Sequence, residues 1–161
     1  MGRNTPAALA ALASHLHTER DALRAFVTLL ETEQQALLDG QVEQLLTLAD
    51  SKTQAAHELK KLGNILRNEM LAHGVGTESG GMETWLQTHA AGSLPVWRDI
   101  RQLSTHAQQQ NHTNGELIKS KLRHNQQALT VLHIAARSAS SLYGPDGQPN
   151  LPVSGHILGR G

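Results

Sequence analysis

The chain contains no cysteine. That absence excludes a disulfide framework, a thiolate metal site and a cysteine nucleophile, and it fits a reducing compartment. Phe, Trp and Tyr together make up 2% of the residues, too few to line a deep aromatic cofactor pocket. Neither sign of charge is in excess, with 14 Lys and Arg against 14 Asp and Glu. No broad basic surface is therefore available to drive counterion-release binding to nucleic acid. The best basic cluster, Lys119, Lys121, Arg123 and His124, reads as the solvated face of a helix. The alanine-rich start has one Arg and no uninterrupted apolar core before His15, so it is neither a signal peptide nor a membrane span. A soluble cytoplasmic protein is expected. β-branched residues never gather into an alternating run, whereas Leu, Ala and Gln dominate. What is present is helix.

One stretch organises the rest. From Trp97 the sequence steps by three or four residues through Ile100, Leu103, Ala107, Asn111, Asn114, Ile118, Leu122, Asn125, Leu129, Leu132, Ala136 and Ala139 to Tyr143. Such spacing keeps one stripe of a helix facing a partner, and a mean step near 3.5 bends that stripe into a left-handed supercoil. At 1.5 Å per residue the helix would be about 70 Å long. It cannot bury its stripe alone. Either the rest of the chain or another protein must lie along it.

The rest of the chain supplies two long helices. Thr5 is a good cap and Pro6 a good first residue, since its missing N–H costs no bond there. Leu9, Leu16, Leu23, Leu30 and Leu37 then recur every seven residues, with Leu12, Val27 and Gln34 on most half-steps and Arg20 the exception. Asp39-Gly40 signals a turn. Val42, Leu45, Ala49, Lys52, Ala56, Leu59, Leu62, Leu66, Met70 and His73 carry a second stripe up to Gly74, which sits where a left-handed cap belongs. Similar lengths and a short connection favour an antiparallel hairpin. Residues 74–81 are too glycine-rich for regular structure and read as a flexible loop. Met82 to His89 forms about two turns, and Ser93 with Pro95 opens the long helix. Beyond Tyr143, Gly144, Pro145, Gly147, Pro149 and Pro152 cannot extend a helix.

The expected fold is all-α: an elongated antiparallel bundle of three long helices plus one short helix, with left-handed coiled-coil-like packing and a disordered C-terminal tail. The helices fall at about residues 5–38, 41–73, 82–90 and 94–142 of one domain spanning 1–143, and residues 144–161 form the tail.

No chemistry-bearing motif survives inspection. His57-Glu58 opens like a zinc-protease helix, but Lys61 stands where the second His belongs. His15 and His17 point to different faces of a helix, and His106 with His112, or His124 with His133, are off ligand spacing. Residues 74–81 lack the strand and the Lys-Ser/Thr of a phosphate loop. Glu31, Glu33, Glu58 and Glu69 belong to no repeated Glu-x-x-His pattern, as a di-metal bundle requires. No enzyme activity, metal or cofactor is expected. What is peculiar is the middle of the long stripe. Asn111, Asn114 and Asn125 stand where apolar residues belong, and a buried unpaired amide costs about 1–3 kcal/mol. Either they fix helix register, or this part of the helix is an open groove awaiting a partner. Gly115, costing about 1 kcal/mol relative to Ala inside a helix, suits close approach by another backbone or a hinge.

These residues carry a resemblance. Asn111-His112-Thr113-Asn114-Gly115-Glu116-Leu117-Ile118, followed by Leu142-Tyr143-Gly144-Pro145-Asp146-Gly147, resembles the C-terminal signature of the FlgN family of flagellar type III export chaperones. The leucine-spaced helices from Leu29 to Leu62 are similar to that family as well, though less specifically, and the likeness runs roughly from Leu9 to Gly147. It implies a small cytosolic all-α chaperone without catalytic activity or cofactor. Such chaperones hold the hook-associated proteins of the hook–filament junction before secretion and deliver them to the export apparatus. It also implies client contact near Asn111, Asn114, Gly115, Ile118, Leu122, Asn125, Leu129, Leu132, Leu142 and Tyr143. The free protein is expected to be a monomer or weak homodimer, without nucleic acid or membrane insertion. The rival reading is a structural coiled coil that self-associates through the leucine heptad of residues 9–37. A His-rich metal-binding bundle ranks last, because the spacings do not support it.

Overall fold

The structure is a computed structural model that describes residues 4–76 and 78–142, the last four of these as helix backbone only. Among the described residues there are four α-helices and no strand: α1 (Pro6–Asp39), α2 (Val42–Ala72), α3 (Gly81–His89) and α4 (Leu94–Leu142), with one 3₁₀ turn (Ala91–Ser93) ahead of α4. The protein is all-α. The fold divides into two units, Met1–Leu117 and Ile118–Gly161. The tail expected over residues 144–161 lies outside the described residues.

The ends of the helices follow from single residues. The Thr5 hydroxyl accepts a hydrogen bond from the Ala8 N–H at 3.3 Å, and Pro6 occupies the first turn. Gly40 closes α1 at φ +70°, a left-handed conformation in which a side chain would clash with the backbone. The end of α2 is a complete double cap. The Gly74 N–H, at φ +79°, donates to the Leu71 carbonyl at 2.9 Å, and the Val75 N–H donates to the Met70 carbonyl at 3.0 Å. That pair satisfies two carbonyls that the helix would leave open, and it brings an apolar residue after the glycine back against the last turn. Val75 is accordingly buried in the same cluster as Met70. The start of the glycine-rich loop is thus anchored by Val75. The N-terminus of α3 follows Gly80, a third left-handed glycine.

In the first unit α1 is the central element. It pairs antiparallel with α2: His15 meets Glu69 near one end, and Glu33 meets Lys52 near the other. It also runs parallel to the first half of α4, through Arg24–Asp99, Glu31–His106 and Gln34–Gln110. Two apolar clusters fill the seams. Leu12, Leu16 and Leu23 of α1 join Leu66 and Met70 of α2, Leu86 of α3, and Val96 and Ile100 of α4. Further along, Val27 and Leu30 enclose Ala107, with Phe26 and Leu103 packed at the edge. Leu16, Leu23, Leu30 and Leu37, four of the five heptad leucines, are buried inside this one chain, and Leu9 is half-buried. Burial of a leucine contributes about 1.5–3 kcal/mol, so the heptad is chiefly a core seam.

Candidate partner-binding surface

The ten residues assigned to a partner surface separate into three groups. Asn114 is fully buried in the first unit. Its side-chain nitrogen donates to the Leu30 carbonyl and to Glu33 Oε2, both at 2.8 Å. Glu33, itself buried, also accepts from Lys52 Nζ at 3.0 and 3.2 Å, so one carboxylate ties α1 to α2 and to α4. Because both groups facing the amide are acceptors, its nitrogen must be the end turned toward them. The amide oxygen, Asn114 Oδ1, has no partner. The Asn114 amide thus faces the interior of the first unit, on the Leu30 carbonyl and Glu33.

Asn111 and Gly115 flank this contact. Asn111 is exposed, so its amide is solvated and carries no burial cost. Gly115 is half-buried, yet a Cβ built on it meets nothing within 4 Å. Among the described residues no other backbone approaches that position.

The second unit behaves differently. Ile118, Leu122, Leu129 and Leu132 are 38% to 64% exposed, and Asn125 between them is exposed as well. On a helix of about 100° per residue these five lie within some 40° of one line, so they form one stripe. Every residue from Leu122 to Ser138 is exposed. Two large residues outside the assigned stripe share that exposure, Val131 at 64% and Ile134 at 61%. Their angular positions fall on the opposite side of the helix, so following one stripe misses them. The signal that finds them is density rather than spacing: Ala128, Leu129, Val131, Leu132, Ile134, Ala135 and Ala136 crowd nine positions. A helix apolar on every side is one that is normally enclosed. Leu142 ends α4, and its side chain lies outside the described residues, as does all of Tyr143.

Among the described residues no group of three or more His, Asp or Glu side chains is placed to hold a metal ion. No described helix is long and apolar enough to cross a membrane. Of the basic cluster on the same helix, Lys119, Arg123 and His124 are exposed and Lys121 is half-buried.

Comparison with known proteins gives the surface a context. The chain is 27% identical over 149 residues to a flagella synthesis protein FlgN of Yersinia enterocolitica, covering 92% of this chain and 94% of that protein. The flagella synthesis protein FlgN of Yersinia enterocolitica serotype O:8 / biotype 1B (strain NCTC 13174 / 8081) matches to the same extent. No solved structure matches. The model of the family described as FlgN protein matches residues 1–150, nearly the whole chain. The chain belongs to the FlgN family.

Proposed function

We propose that this protein is a flagellar export chaperone whose clients are the hook-associated proteins of the hook–filament junction, held through the second half of α4 before delivery to the export apparatus. One observation carries the reading. Ile118, Leu122, Leu129 and Leu132 leave a stripe exposed to water on a helix whose first half is packed against α1. Four large aliphatic side chains represent about 6–12 kcal/mol of gross burial, at about 1.5–3 kcal/mol each. Ordering and association costs reduce that to the range of a reversible complex. An amphipathic client helix laid along the stripe would supply the burial. Val131 and Ile134 on the back of the helix call for a second client element, so that the client clasps α4 from two sides. Covering its apolar helices in this way keeps a client from polymerising early. In the first unit the same proposal includes left-handed, coiled-coil-like packing of α1, α2 and the first half of α4 in a single helical domain. A cytoplasmic location follows from the role.

No observation favours the rival homodimer. Its heptad is spent inside the chain at Leu16, Leu23, Leu30 and Leu37.

The test is co-expression with the junction proteins of the same flagellar system, followed by size-exclusion chromatography with light scattering. A heterodimer is expected, and Leu132→Asp should weaken it at least a hundredfold while helicity and melting temperature stay unchanged. Retention of the client by folded Leu132→Asp would move the binding site elsewhere. A homodimer that ignores every client would remove the chaperone role.

A further inference from the structure

A second exposed apolar patch lies in the first unit, at the turn between α1 and α2. Val42 is 67% exposed and Leu46 69%, and Leu38, on the other side of the turn, is 57% exposed. On α2 the same spacing continues through Ala49, Thr53 and Ala56, all of them exposed. From Val42 to Ala56 the steps are four, three, four and three residues, so these five lie within about 80° of one another and form one line along the helix. It is not the face that α2 turns to α1, where Leu45 is half-buried, Leu48 is buried and Lys52 meets Glu33. A single exposed leucine needs no explanation. A line at coiled-coil spacing, open to water, does.

The charge around this line is one-sided. From residue 25 to residue 51 the chain carries Glu31, Glu33, Asp39, Glu43 and Asp50 and no Lys, Arg or His, although its total formal charge is zero. Glu33 is answered by Lys52, and Glu31 lies 3.9 Å from His106. The Asp39 carboxylate accepts from the Gln35 amide. Glu43 and Asp50 have no ion pair among the described residues. They stand seven residues apart on α2, each next in sequence to a residue of the line, and both about 80–100° round the helix from its middle. In a coiled coil that flanking position is the one whose charge selects the partner helix.

We propose that the first half of α2 docks a basic amphipathic helix of a partner protein, its apolar stripe on Val42, Leu46 and Ala49 and its Lys or Arg side chains beside Glu43 and Asp50. The charge decides this occupant. A second copy of the chain, joined through the same face, would bring the same acidic edge to the contact and no cation to meet it. Nucleic acid and an anionic lipid surface are repelled for the same reason. A helix with heptad leucines flanked by Lys or Arg supplies both the apolar cover and the opposite charge, with basic residues about 10 Å apart, as Glu43 and Asp50 are along α2. The argument does not depend on the exposed stripe of α4.

The full-length chain would be titrated into a fluorescein-labelled peptide of three Leu-Ala-Gln-Leu-Lys-Gln-Lys repeats, whose own flanking lysines oppose its self-pairing, and into the same peptide with Glu for every Lys. Fluorescence anisotropy should show the lysine peptide binding, and the glutamate peptide at least about tenfold more weakly. Leu46→Asp should cost at least about tenfold, with an unchanged circular dichroism spectrum because the site is exposed. The double variant Glu43→Lys with Asp50→Lys should reverse the order of the two peptides. Leu132→Asp should leave the titration unchanged, which separates failure of this site from failure of the client surface. No binding of the lysine peptide, equal affinity for the two peptides, or binding that survives Leu46→Asp would overturn the proposal. So would a homodimer in light scattering that Leu46→Asp dissolves, since the patch would then belong to a second copy.

Discussion

Replacing Asn114 by alanine and by leucine separates hydrogen bonding from packing at a polar contact buried between α1 and α4. Asn114→Ala removes a bond to the Glu33 carboxylate, worth about 1.5–3 kcal/mol, and one to the Leu30 carbonyl, worth about 0.5–1.5 kcal/mol. It also leaves a hole in a fully buried position, a cost that removal of the orphan Oδ1 offsets, so the loss should be about 2–4.5 kcal/mol. Asn114→Leu forfeits the same two bonds. It fills the site, however, recovering about 1.5–3 kcal/mol of burial, and like the alanine it removes the orphan Oδ1, whose desolvation costs about 1–3 kcal/mol. Glu33 keeps Lys52 in both variants. The leucine variant should therefore be at least as stable as the parent protein, and the alanine variant clearly less stable. Urea unfolding followed by circular dichroism reads the two midpoints directly. A leucine variant as unstable as alanine would refute the ledger, because it would mean that the bonds outweigh the packing. If Asn114 specifies register, Asn114→Leu should also lower amide-exchange protection around Ala107 even while the midpoint rises, as apolar replacement of a core Asn does in coiled coils.

Gly115→Ala should stabilise the protein by up to about 1 kcal/mol in the same assay, since the new methyl meets nothing within 4 Å and helix propensity improves; a loss would point to an unseen close contact. Gly74→Ala should destabilise by about 1–2 kcal/mol, because φ +79° is costly for any residue with a Cβ and the double cap with Met70 and Leu71 depends on it; an unchanged melting temperature would contradict that cap. The carboxyl of Glu19 is raised by burial, so the folded state holds its proton more tightly than the unfolded chain. Its charged form therefore works against folding at neutral pH, and the penalty disappears as pH falls through the raised value towards 4.5. Glu19→Gln should melt higher than the parent at pH 7, with the gap closing towards pH 4; a gap that widened in acid would reverse the sign of this reasoning.

The helices and their ends were written locally. Thr5-Pro6, Gly40 and Gly74 start or stop the backbone through capping and left-handed geometry, effects that act within a turn and need no tertiary contact. The leucine heptad likewise announces a seam wherever it occurs. Sequence could not say whose seam it was. The burial of Leu16, Leu23, Leu30 and Leu37 within one chain depends on α2 and α4 reaching α1, and their contacts are remote in sequence. The three asparagines show the same limit. By spacing Asn111, Asn114 and Asn125 are equivalent, but only Asn114 stands opposite the Leu30 carbonyl and Glu33, so it alone becomes an interior amide. The residues of the exposed stripe, Ile118 to Leu132, were legible because period and apolarity are local; Val131 and Ile134 were hidden because they fall off that periodic face. A cleft of the first unit had no sequence signal at all. Glu19 and Trp97 stand on different helices, far apart in sequence, and line one cleft only because α1 and α4 pack side by side. Periodicity fixes which face of a helix is apolar; the partner that covers it is decided by long-range packing, where the entropy of closing the chain is set against the burial gained.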